Sequence, residues 1–260
     1  MHKKTVERIE AINALLSEYE DMTLRQIYYR LLGTMGLSYP TVKYICKVGR
    51  KEGLIDYNSI VDRNRPIYGK NLYEGIAHFL DGIPSKFNLD FWKDSLHRPQ
   101  IWTEKDALSQ VLLSVASEYN VDVYVTRGFL SISNKHRWGR AATILYFGDF
   151  DPSGLFIDED LKLEVAFDSF ERIALTLVQV QKYDLPPVKV KNTDPRSKPY
   201  KAEYGDLAWE LDALPPDVLK DLVRQSIEKH VDFDLEQKQE EETLIRENLI
   251  ELMDSGREGS

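Results

Sequence analysis

Cysteine is almost absent: Cys46 stands alone among 260 residues, which excludes an internal disulfide framework and a thiolate-rich zinc site. Histidine is sparse, and His2, His78, His97 and His230 show no spacing that suggests a ligand set. No apolar run approaches the roughly 20 residues that a membrane helix needs. The opening MHKKTVERIEAINALL lacks the apolar stretch of a signal peptide. A cytoplasmic, reducing setting with no membrane partner is therefore the expectation. No Gly-x-x-x-x-Gly-Lys-[Ser/Thr] loop occurs, so the chain lacks the Walker-type cradle for a nucleotide.

What is present supports packed interiors. The hydrophobic fraction is 42%, with 14 Tyr, 10 Phe and 4 Trp, which excludes a wholly disordered chain. The length allows one large domain or two ordinary ones. The net charge of −9 argues against a nucleic-acid partner, but its distribution does not. Residues 1–98 carry net +3, residues 99–231 net −5, and residues 232–260 net −7. Lys43, Lys47, Arg50, Lys51, Arg63, Arg65 and Lys70 outnumber Glu52, Asp56 and Asp62 in one stretch. Such a patch can meet phosphates, because screening confines surface fields to about 10 Å; a solvated helix face is the alternative.

The pattern changes near residue 95. Before it, apolar positions at helical spacing predict a helix over 5–19, a second over 24–33 capped by Thr23, and a third opening at Pro40. Residues 54–63 predict a short hairpin. Helix, helix, basic helix and ribbon is the order of a winged helix-turn-helix. From residue 99, strands at 99–103, 121–125, 143–148 and 172–178 alternate with helical segments, including 104–119. That alternation predicts an α/β domain with a parallel sheet. The expected division is 1–95 for a winged-helix domain, 96–231 for the α/β domain, and 232–260 for an acidic helix with a frayed end.

Two segments carry candidate chemistry. One strand ends in Glu104, and another ends in Asp149-Phe150-Asp151-Pro152-Ser153-Gly154. Alternate residues of an extended segment point the same way, so Asp149 and Asp151 project together. Open α/β sheets gather ligands beyond the carboxyl ends of their strands. Three clustered carboxylates repel unless a cation neutralises them, and an all-oxygen site suits Mg²⁺ or Mn²⁺. The alternative is a turn with helix caps, since Asp, Pro, Ser and Gly are turn residues.

The strand ending in Glu104-Lys105-x-Ala107, the later Gly128 loop and Asp149-x-Asp151-Pro152-x-Gly154 resemble a Toprim domain, over roughly residues 20–180. More closely, they resemble the topoisomerase VI A subunit and its relative, the meiotic double-strand-break protein. That family sets a winged helix before Toprim, with an Arg-x-x-Tyr-Tyr motif whose second tyrosine attacks DNA. Here Arg25-Gln26-Ile27-Tyr28-Tyr29 stands in that place. The resemblance implies Tyr29 as nucleophile, Arg25 as its phosphate-positioning or activating group, and Glu104, Asp149 and Asp151 as Mg²⁺ ligands. It also implies double-stranded DNA as substrate, a homodimer pairing one subunit's tyrosine with the other's metal site, and a separate ATPase subunit for strand passage. The chain is shorter and more acidic than the resemblance leads one to expect.

From the residues alone, Arg25 lies one helical turn before Tyr29, and a phenol with pKa near 10 needs such a cation to become a nucleophile. Tyr29 packed between helices is the alternative; Tyr28 lies on the apolar stripe. Arg127, and Arg137 and Arg140 beside His136 and Trp138, are candidate DNA contacts, or else solvated loops. Glu210 and Asp212 either complete the acidic site or, as expected here, cap a helix before Pro215. Asp158 and Asp160 are expected on a helix surface. Two rival functions share this pattern: a Toprim nuclease that uses water, and a DNA-binding or assembly module without catalysis.

Overall fold

The computed structural model describes residues 3–19, 22–61, 71–128, 142–191 and 193–258. In chain order these form α1 (Lys3–Glu18), β1 (Met22–Thr23), α2 (Leu24–Met35), α3 (Tyr39–Lys51), β2 (Ile60–Val61), α4 (Ile76–Asp81), β3 (Pro99–Thr103), α5 (Ser109–Ala116), β4 (Val123–Val125), β5 (Thr143–Phe147), α6 (Pro152–Glu164), β6 (Ser169–Ala174), α7 (Leu177–Lys182), β7 (Val188–Lys189), α8 (Ser197–Tyr204), β8 (Leu207–Ala208), α9 (Pro216–Glu228) and α10 (Leu235–Glu258). They pack as two compact units: Met1–Arg63 with Arg98–Lys229, and Asn64–His97 with His230–Ser260. The cuts thus differ from 1–95, 96–231 and 232–260. The first three helices share a unit with the sheet, and residues 64–97 join the C-terminal helix.

The first unit is α/β. Its main sheet has the order β4-β3-β5-β6, all parallel. β3 and β5 are buried at every position, as the near-continuous apolar run 143–147 requires of a strand covered on both faces. Trp102, Ile144 and Tyr146 pack against Ile157, Leu161 and Val165 from α6 and its end. Each such side chain contributes about 1.5–3 kcal/mol on full burial. α5 and α9 pack on one another.

In the same unit, α1, α2 and α3 enclose Ile9, Ile12, Ile27, Leu31, Val42 and Ile45. α2 starts where its sequence says it should. The Thr23 Oγ1 accepts the Gln26 N–H at 3.2 Å and Gln26 Oε1 accepts the Thr23 N–H at 2.9 Å, a reciprocal cap. Gly36 ends it with φ 61°, a conformation that suits glycine.

Three expected elements differ. Residues 54–61 do not fold back as a hairpin: the Asp56 carboxylate accepts the Asn58 N–H at 2.7 Å and closes a helical turn. Ile60 and Val61 then pair in parallel with Met22 and Thr23. The strand expected over 172–178 lies at Ser169–Ala174 instead, because Thr176 and Gln179 form a second reciprocal cap that starts α7. The helical stretch expected over 104–119 is a single α-helix only at Ser109–Ala116, flanked by 3₁₀ turns.

The second unit centres on α10. Phe233 stacks edge-on against Trp92 at 5.0 Å. Arg246 donates to the Phe87 carbonyl at 2.8 Å, and Glu242 accepts the Leu89 N–H at 2.6 Å. The Ser95 hydroxyl donates to Asp232. No helix among the described residues is long and apolar enough to cross a membrane.

Candidate acidic site

β3 and β5 run side by side with Thr103 opposite Phe147, so the residues that follow each strand emerge together. Glu104 Oε1 accepts the Asp149 backbone N–H at 2.8 Å. Phe150 then forms an antiparallel bridge with Trp209, which draws residues 209–213 against the strand ends. Asp149 Oδ1 accepts the Leu211 N–H at 2.7 Å, and its Oδ2 lies 2.8 Å from Lys105 Nζ. Asp151 has a separate partner: its Oδ1 accepts the Gly154 N–H at 2.6 Å and caps α6.

Lys105 is the centre of this cluster. Its ammonium also lies 3.1 Å from Asp212 Oδ2 and 3.7 Å from Glu210 Oε2. Burial works against its charge, but Asp212, Asp149 and Glu210 outweigh burial and hold its pKa above the usual lysine value. Glu210 is gripped from the other side by Arg25, whose Nη1 lies 2.7 Å from Oε1. Glu210 and Asp212 therefore belong to the site and not to a helix cap; α9 begins at Pro216 without a side-chain cap.

Burial dominates the acid chemistry. It raises the Glu104 pKa against the opposing Asp149 amide and Lys105. It pushes Asp149 up to about 7, with Lys105 opposing and Glu104 adding to the rise. A raised carboxyl keeps its proton in the folded chain after the unfolded chain, near pKa 3.9, has lost it. Stability is thus expected to fall as pH rises from about 4 to 7, and Asp149→Asn should flatten that slope in denaturant titrations at several pH values. An unchanged slope would rule out Asp149 as its source.

Tyr29 is buried at 4% exposure, its ring 4.9 Å from that of Tyr28. Its hydroxyl forms no hydrogen bond of ordinary geometry. Burial and then the Glu210 charge raise its pKa, opposed by the neighbouring Arg25 guanidinium. Tyr28 packs against the α1–α3 core, in keeping with its place on the apolar stripe, although it is the less buried of the two. Arg25 also lies over the Tyr39 ring at 4.9 Å.

Of the expected cationic contacts, Lys43, Lys47 and Lys51 are exposed at four-residue spacing along α3, on one face of the helix. Arg50 is half-buried and donates to the Ile60 carbonyl at 2.8 Å. Arg127 is exposed, 3.4 Å from Asp106. Arg63, Arg65, Arg137 and Arg140 lie outside the described residues, as do Lys70, His136 and Trp138. Asp158, expected on a helix surface, is 4% exposed and lies 2.6 Å from Arg172.

Lys105 enters the sequence reading only as part of the Glu104-Lys105-x-Ala107 motif, without a role of its own, and Arg172 has no functional place in it. Lys105 had a signal, as a cation directly after the carboxylate that ends β3. Arg172 donates to the carbonyls of Leu175, Gly148 and Asp149 and so fixes the backbone of the β5 end.

The donors fit a hard divalent cation in kind, being carboxylate oxygens gathered at strand ends. Their present commitments oppose it: Lys105 and the Leu211 amide hold Asp149, and Asp151 caps α6. Accordingly, no group of three or more His, Cys, Asp or Glu able to hold a metal ion occurs among the described residues. No protein-family model matches the sequence, and no curated protein compared with it is significantly similar.

Proposed function

We propose that this chain binds double-stranded DNA and cleaves its backbone with the help of Mg²⁺ or Mn²⁺, on a Toprim-like sheet preceded by a winged-helix-like segment. The observation that supports this best is the meeting of Glu104 with Asp149 beyond adjacent parallel strands, where α/β sheets gather ligands. Glu104 and Asp151 would hold the ion, and Asp149 would join them once Lys105 releases it. Such an ion, when bound, offsets charge that builds on phosphoryl oxygens. Arg25, at the edge of the acidic cluster, would position a phosphate, and the exposed Lys43, Lys47 and Lys51 would meet the DNA backbone.

The resemblance favours Tyr29 as nucleophile: its oxygen bonds to phosphorus, its proton leaves to solvent, and the broken P–O bond leaves a 3′-hydroxyl and a 5′ end linked to protein. The tyrosine and acidic site that act together would come from two copies of the chain, and strand passage would need a separate ATPase subunit. Hydrolysis by water is a second reading, favoured by a specific observation: the Tyr29 hydroxyl is buried and its pKa is raised, so attack requires it first to be exposed.

Incubation with supercoiled plasmid and Mg²⁺ or Mn²⁺, then denaturation with and without protease, tests both. Protein-linked 5′ ends are expected for tyrosyl attack, and free 5′-phosphates with an active Tyr29→Phe variant for hydrolysis. Glu104→Gln should lower either cleavage by about 10²-fold, in the range seen when a preorganised charge-stabilising group is lost. DNA binding that survives Asp149→Ala, with no cleavage under either metal, would leave a non-catalytic binding module.

A further inference from the structure

Lys105 is held by two kinds of carboxylate. Asp149, 2.8 Å away, belongs to the strand ends where a divalent ion is proposed. Asp212 and Glu210, 3.1 and 3.7 Å away, come from the 209–213 segment. That segment is anchored independently of Lys105: Arg25 grips Glu210 at 2.7 Å, Arg30 donates to the Ala213 carbonyl at 2.6 Å, and Thr23 reaches Asp212 at 3.4 Å. Asp212 is 2% exposed, so water cannot readily stand in for its cation.

A divalent ion cannot share Asp149 with the Lys105 ammonium at contact distance without strong repulsion in a poorly hydrated site.

We propose that Lys105 is a tethered counter-ion that holds Asp149 until a divalent cation arrives and is then retained by Glu210 and Asp212, whose role is to receive it. This rests on the metal-dependent reading above. It makes Lys105 a positioning residue that competes with the ion, and gives the second acidic pair a task distinct from ligation. Direct ligation by Asp212 would make the opposite prediction in a double variant.

Mn²⁺ binding to the full chain, measured by titration calorimetry and by the loss of the free-ion spin-resonance signal, tests this without any cleavage assay. Lys105→Met should tighten Mn²⁺ at least 10-fold, since its competitor is gone. Asp212→Asn should weaken it at least 5-fold, because Lys105 then leans more on Asp149. With Lys105→Met already present, Asp212→Asn should have no further effect. Lys105→Gln replaces the methionine variant if that one fails to fold. Binding to the unaltered chain that neither Lys105 variant tightens overturns the competition while leaving the metal reading intact. Weakening by Asp212→Asn that persists without Lys105 assigns Asp212 as a ligand and also overturns the proposal. Mn²⁺ that binds no form of the chain overturns both.

Discussion

Gly154→Ala is expected to cost about 3 kcal/mol of stability, toward the upper end of the usual overpacking range. A Cβ at this position would lie 2.3 Å from the Asp149 carbonyl oxygen and 3.1 Å from its carbon. These are backbone atoms between a strand end and a helix start, so no side chain can rotate out of the way. The Asp149 carbonyl is fixed by Arg172 and its amide by Glu104; relief must come from moving α6 or the acidic site. At about 2–4 °C per kcal/mol for a chain of this size, the melting temperature should drop by roughly 6–12 °C. Calorimetry checks it, and a loss under 1 kcal/mol would mean that the close approach is not as described. Any cleavage activity should fall as well, since Asp149 and Asp151 sit on the displaced segment.

Arg172→Leu is expected to be at least as damaging. The guanidinium donates to three carbonyls and lies 2.6 Å from Asp158, with only 13% and 6% of the two side chains exposed. Burial raises the Asp158 pKa and Arg172 opposes that rise, so removing the arginine strands a buried carboxylate. Breaking one side of such a pair costs about 3–5 kcal/mol. Asp158→Leu added to Arg172→Leu should recover part of this loss, because no charge is then left unpaired. Urea unfolding of the two variants checks it; a double variant no better than the single would locate the cost in the three carbonyls alone.

Much of the scaffold could be read locally. The near-continuous apolar run of β5, the Thr23 cap and the helical spacing of α1–α3 are contained within short windows, and each decides its own element. The ends of β3 and β5 were likewise visible as carboxylates placed after apolar runs. The rest depended on distant pairing. The Phe150–Trp209 bridge has no local signature, yet it delivers the Leu211 amide to Asp149 across 62 positions and brings Glu210 and Asp212 with it. Periodicity places Tyr28 on the apolar stripe but gives no sign that Tyr29 is buried as well. α2 is covered by α3 on one side and by the 209–213 segment on another, so more of its circumference is buried than one apolar stripe implies. Asp158 was misplaced for a related reason: its neutralising partner lies on another element, β6.

The parallel pairing of Met22–Thr23 with Ile60–Val61 ties both ends of the α2–α3 segment into one knot. Within it, Ile27 and Leu31 interlock with Val42 and Ile45, so the two helices travel together. Lys43, Lys47 and Lys51 ride on the same body as Arg25. The exposed lysine face and the Arg25–Glu210 contact are thus joined through the packed core of these helices.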